Sequence, residues 1–394
     1  MYTHKGFVKR YFALALLLAS PLGVCMVFLV QAGEQTHFAR IAAEQLRTGA
    51  VYGTALNQNN FLYKLELASA ARPDVIVLGS SRAMQLRKEF FNQTMINCGG
   101  AMNSTFEGLF FLQRLLERHR PQVVIITLDF WWFALEGARP ERMEYHSNSG
   151  DIITAKKLYT PLAYLAMNKI PPKVFWRTLV HGPGEDVIGI QAIVTGWGIR
   201  PDGSVFYSQV FDMEFEHHDI RLAQARSAAT TGQGHYKRAR ATARGRMDDL
   251  GEIINLLRQH DVTPIFIMTP LAPPVMDAIG KEKLDHVDKL EEYARQAGVE
   301  LYDFHDARAM GSTECEFLDG LHGGDVANQR MLLEIARINP ESALAPYLNV
   351  EAMSRSVREY GGNVISAQPG EKWPGDEVDF LRLGCVKKKR PKAE

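Results

Sequence analysis

Two hydroxyls stand side by side in Gly79-Ser80-Ser81-Arg82, and a carboxylate and an imidazole stand three residues apart in Asp319-Gly-Leu-His322. These are the parts of nucleophilic catalysis: a hydroxyl to attack, a base to take its proton, and an acid to hold the base. Each pair also has a plain reading. Two serines suit the cap of a helix whose first N–H groups lack partners, and a loop Asp and His are commonly solvated. The elements around them decide whether the pairs can meet.

Val75–Leu78 is a continuous apolar run, as in a strand covered on both faces, and Gly79 lets the chain turn sharply after it. Further strands are expected at Met95–Asn97, Gln122–Phe130, Thr263–Pro270 and Val299–Phe304. Helices are expected at Phe106–His119, Met247–His260, Glu282–Ala297 and Val326–Ile338. This alternation predicts an α/β fold, a three-layer α/β/α sandwich with a central parallel sheet. In such a sheet the strand C-termini share one edge, so the serine turn and the Asp319–His322 loop can converge there. Gly320, Gly323 and Gly324 let that loop bend tightly.

With these two motifs the chain resembles the SGNH (GDSL-like) hydrolase superfamily, in particular its membrane-anchored branch. The family's Gly-Asp-Ser corresponds to Gly79-Ser80-Ser81, and its late Asp-x-x-His to Asp319–His322. The resemblance covers roughly residues 73–129 and 262–338. It implies Ser81 as nucleophile, His322 as base and Asp319 as the base's orienter. Family members take oxyanion donors from a second-block Gly and a third-block Asn. Here Gly99, Gly100 and Asn103 are the candidates after the second strand, with Met102 near the usual Gly, and Asp129 stands where Asn is usual. An ionised Asp repels a developing oxyanion, so Asp129 would have to be protonated or point elsewhere. Arg82 is placed to pair with Asp129 or with an anionic substrate group. Trp131 and Trp132 offer flat faces for a sugar ring, or packing for the insertion that follows.

Lys+Arg and Asp+Glu both number 45, so the charge balance gives no reason to expect a nucleic-acid partner. Cys25, Cys98, Cys315 and Cys385 fall at no metal-type spacing, and at most one pair outside the apolar N-terminus could bridge. His217 and His218 are adjacent, and adjacent side chains rarely converge on one metal. Neither a metal nor a cofactor is expected. Residues 11–31 begin with about 20 uncharged residues, enough to span a hydrocarbon core, after Lys5, Lys9 and Arg10. A transmembrane anchor is expected there, with a cleaved signal as its rival. Residues 1–10 would then be cytoplasmic and the remainder extracytoplasmic, or periplasmic.

A helical stalk is expected over 32–71, the main domain over 72–340, an insertion over about 136–246, and a C-terminal extension with a basic tail over 341–394. Within the insertion, the small, polar and basic segment Ala225–Arg246 reads as mobile surface. The resemblance implies an esterase or O-acyltransferase acting on a cell-envelope glycan or glycolipid, with a membrane-bound O-acyltransferase as a partner. The altered oxyanion positions favour a rival, a non-catalytic SGNH-like protein that binds a polysaccharide or such a transferase.

Overall fold

The computed structural model describes residues 4–34, 37–56, 59–133, 155–206, 220–236, 244–280, 284 and 286–366. The chain divides into two units. One comprises Met1–Asn59 with Glu144–Pro201, and the larger comprises Asn60–Met143 with Asp202–Glu394.

The larger unit is α/β and is built on five parallel strands: β1 (Val75–Gly79), β2 (Met95–Gly99), β3 (Val123–Leu128), β4 (Thr263–Met268) and β5 (Glu300–Asp303). Their order is β2-β1-β3-β4-β5. Every residue of β1, β2 and β3 is buried. Successive side chains of a strand point to opposite faces, so both faces of the sheet centre are covered. That is why these strands are unbroken apolar runs rather than alternating ones. Gly79 lies opposite Gly99, and Leu78 lies opposite Cys98 and Ile126. The strand ends are thus level, and the loops after them open on one edge. β1 and β3 are neighbours, and the connection after β1 runs to β2 on one side while that after β3 runs to β4 on the other. Such a switch point is where open α/β sheets leave a crevice.

Gly79 is needed for space rather than for an unusual backbone angle. A Cβ there would come within 1.8 Å of Thr127 Oγ1 on β3. The helix after β2, Thr105–Leu116, starts on Ser104, whose hydroxyl accepts from Glu107 N at 3.2 Å. Helices Arg244–Gln259, His286–Ala297 and Asp325–Ile338 follow where the apolar spacing places them, within a few residues. One element was not expected. Val350–Tyr360 is a helix capped by Asn349, with Val350, Met353 and Val357 at helical spacing, in a C-terminal stretch for which no element was expected.

In the smaller unit the expected stalk is interrupted. Helix Phe38–Thr48 stops at Gly49, which takes a left-handed conformation (φ 77°). Val51–Tyr52 then pairs with Val187–Ile188, and Tyr52 also pairs with Ile199. The second stalk helix, Asn60–Ala71, belongs to the larger unit. The N-terminal run forms helix His4–Gln31. Among the described residues no helix is long and apolar enough to cross a membrane, so the structure lends the expected span no support. The end of this helix is committed to protein, with Cys25, Phe28 and Leu29 buried. Its side chains at positions 12 and 15–19 lie outside the described residues.

Candidate active site

The two serines after β1 have different tasks. Ser80 is buried, and its Oγ accepts from Arg82 N at 3.2 Å, capping the short helical turn Ser81–Ala83. Ser81 is exposed, and its O–H donates to His322 Nε2 across 2.8 Å. Asn97 on β2 supports this turn from below. Its amide donates to the carbonyls of Ala83 (2.8 Å) and Leu86 (2.6 Å).

The imidazole is held by its own loop. Leu318 N donates to His322 O at 2.8 Å, closing a tight hairpin in which Gly320 takes φ 86°. Inside it, Asp319 Oδ1 accepts from the backbone N–H of Leu321 (3.0 Å) and His322 (2.9 Å). Both carboxylate oxygens also accept from His322 Nδ1–H, at 3.0 and 2.8 Å. With Nδ1 carrying the proton, Nε2 presents its lone pair to Ser81. Burial tends to raise the Asp319 pKa, but the hydrogen bonds and charge of His322 outweigh it and hold the carboxyl near 2. Asp319 is therefore an anion throughout the physiological range.

Arg82 takes the first of its two expected partners, Asp129, and is buried rather than turned toward an anionic substrate group. Its Nε–H donates to Leu321 O (3.1 Å), and Nη2 donates to Thr269 O (2.6 Å) and Pro270 O (2.8 Å). Nη1 donates to Asp129 Oδ1 (3.1 Å). One side chain next to Ser81 thus ties together the end of β3, the loop after β4 and the residue before His322. Burial raises the Asp129 pKa and the Arg82 cation opposes that rise. The guanidinium keeps its charge, because arginine does not lose its proton in proteins.

The expected oxyanion donors are engaged elsewhere. Gly99 N donates to Asn97 Oδ1 (2.7 Å), and Gly100 N donates to Gly79 O (2.8 Å). The exposed Asn103 amide donates to Glu107 Oε2 (3.0 Å), and Asp129 is tied to Arg82. The Ser81 N–H opens its turn and has no acceptor among the described residues, so it is free to meet a developing oxyanion. Trp132 is 3% exposed and cannot stack on a sugar. Trp131 is half-buried, with Arg82 lying 5.6 Å from its ring centre and His235 4.3 Å away.

His235 and Tyr236 have no counterpart among the sequence expectations. They lie in the turn Gly234–Tyr236, inside the segment expected to be mobile surface; its first part instead belongs to helix Ile220–Thr231, and the turn packs on Phe130 and Trp131. Burial lowers the His235 pKa and pushes the Tyr236 phenol up to about 12. Their only sequence signal was an aromatic pair in a polar stretch. His217, His218, Cys385 and the basic tail lie outside the described residues. Comparison with protein-family models and with curated proteins returns no match.

Proposed function

We propose that this protein is an extracytoplasmic serine esterase or O-acyltransferase of SGNH type, with a three-layer α/β/α domain and an acylated cell-envelope glycan or glycolipid as substrate. One observation carries the chemistry: Ser81, His322 and Asp319 form a continuous hydrogen-bonded relay at the strand C-terminal edge. Ser81 Oγ attacks the acyl carbonyl carbon while its proton passes to His322 Nε2. The Ser81 N–H donates to the resulting oxyanion. Collapse breaks the ester bond, and the leaving alkoxide takes the proton from Nε2. A sugar hydroxyl or water, deprotonated by the same nitrogen, then attacks the acyl-serine and frees Ser81.

The glycan substrate and the membrane-bound transferase partner rest on the family resemblance alone. Placement outside the cytoplasm is supported by the basic, then apolar, N-terminus and by Cys315, which is disulfide-bonded. Attachment through the N-terminal segment belongs to the same proposal. A second reading, a non-catalytic binding protein, is favoured by the engagement of all four expected oxyanion positions. A serine-reactive fluorophosphonate separates the two. Labelling of the wild type but not of Ser81→Ala supports the enzyme. An unlabelled wild type, with glycan acylation kept in cells carrying Ser81→Ala and lost in cells lacking the protein, establishes the binding role.

A further inference from the structure

The smaller unit carries a pattern that the Ser81 chemistry does not use. Asp and Glu number 45 in 394 residues, yet none occurs in residues 1–33 or 155–183, which hold eight Lys and Arg. The fold brings these two acid-free stretches together. Helix His4–Gln31 packs against helices Ala155–Leu158, Thr160–Ala166 and Pro172–His181. Phe28 stacks on Phe175 with ring centres 4.6 Å apart, and Leu29, Ile170 and Ile190 complete a dry core.

The outward side of the same helices is apolar too. Ten of the twelve large hydrophobic side chains exposed among the described residues belong to this unit, and nine of them lie on helix His4–Gln31 or in residues 155–183, a concentration that marks an interaction site. Met26, Val27 and Val30 represent the first helix; Met167, Trp176 and Val180 the second stretch. On Pro172–His181, the exposed residues Lys173, Trp176, Arg177 and Val180 fall three and four apart, and so form one stripe. Basic side chains interleaved with Trp and aliphatic residues match the boundary between anionic headgroups and acyl chains. A second copy is a poor occupant, because it would set the same basic, acid-free stretches against themselves.

We propose that this face docks on an anionic lipid bilayer, with Trp176 and Val180 at the headgroup–acyl boundary and Lys173 and Arg177 on lipid phosphates. The proposal adds residues 155–183 to the membrane contact. It requires neither that helix His4–Gln31 cross the bilayer nor that Ser81 be catalytic. The test is hydrogen exchange of segment 172–183 in the full chain, in nanodiscs of phosphatidylglycerol, in nanodiscs of phosphatidylcholine, and in detergent. Exchange slowed at least tenfold in phosphatidylglycerol alone is expected. Lys173→Gln with Arg177→Gln should reverse that protection by about 10- to 30-fold, from the loss of two lipid-facing charges. Equal exchange in all three environments would overturn the proposal, since the N-terminal helix alone would then hold the protein. So would protection independent of lipid charge, or protection in detergent with a doubled mass, which marks a second copy as the occupant.

Discussion

At the scale of single residues, the relay and its support make separate predictions. On the proposed mechanism Ser81→Ala and His322→Ala remove the nucleophile and the base, so kcat for an aryl acetate should fall by about 10⁵–10⁶. Asp319→Asn leaves a base in the wrong tautomer and should cost less, about 10³–10⁴. Asp319 also sets an acid limit on stability. Its carboxyl titrates lower folded than unfolded, so protons favour the unfolded chain. Its contribution is complete above about pH 4 and is lost as pH falls toward 2. Acid unfolding curves of wild type and Asp319→Asn should therefore converge over that window. Arg82 is a different case because its partner is buried. Arg82→Met strands the Asp129 carboxyl and should destabilise by ~3–5 kcal/mol in denaturant titrations. Adding Asp129→Asn should recover part of that loss, and Arg82→Lys should keep the charge but not the carbonyl contacts.

At the scale of elements, the sheet edge depends on how neighbouring segments are locked. Lys64 on helix Asn60–Ala71 is fully buried, and its Nζ donates to Asn97 O at 2.9 Å and to Gly203 O. It thereby joins β2 to the turn at Asp202–Ser204. Burial lowers its pKa to about 8 from the usual 10.5, with Cys98 and Asp202 opposing the change. The unfolded chain holds this proton more tightly, so the cost of burying the charge is present below pH 8 and is relieved as pH rises toward 10.5. Wild type should gain stability relative to Lys64→Met over that interval, on the order of 2 kcal/mol. Parallel slopes for the two proteins would show that Lys64 stays charged in the fold.

At the scale of the whole molecule, the loop that carries the base is fastened by a covalent link as well as by hydrogen bonds. Cys315 is disulfide-bonded and lies four residues before Asp319, whereas Cys25 and Cys98 are free and buried. Glu316, next to it, accepts from Arg330 Nε at 3.0 Å, tying the loop to helix Asp325–Ile338. A reductant should lower the melting temperature of the wild type, in keeping with a disulfide worth ~2–4 kcal/mol. It should leave Cys315→Ser, already without the bridge, unchanged. An equal response in both proteins would place the sensitivity elsewhere.

The sequence by itself determined the order and type of the sheet elements. A strand buried on both faces must be apolar throughout, and β1, β3 and β4 carry that mark without reference to anything distant. It also pointed to Ser81, Asp319 and His322, because an Asp-x-x-His loop and a serine turn are local patterns. The two hydroxyls alone did not say which faces the imidazole; the family resemblance implied Ser81, and the fold gives the reason, with Ser80 turned inward to cap and Ser81 turned outward to His322. For Arg82 the sequence offered Asp129 as a partner, but its burial and its three carbonyl acceptors, at positions 269, 270 and 321, were out of reach. The oxyanion candidates failed for the same reason. A backbone N–H looks identical in any sequence, and only the packed chain shows whether a carbonyl such as Gly79 O has already taken it. His235 and Tyr236 reached the site through a turn with no apolar period, so their place was set by the surface they landed on.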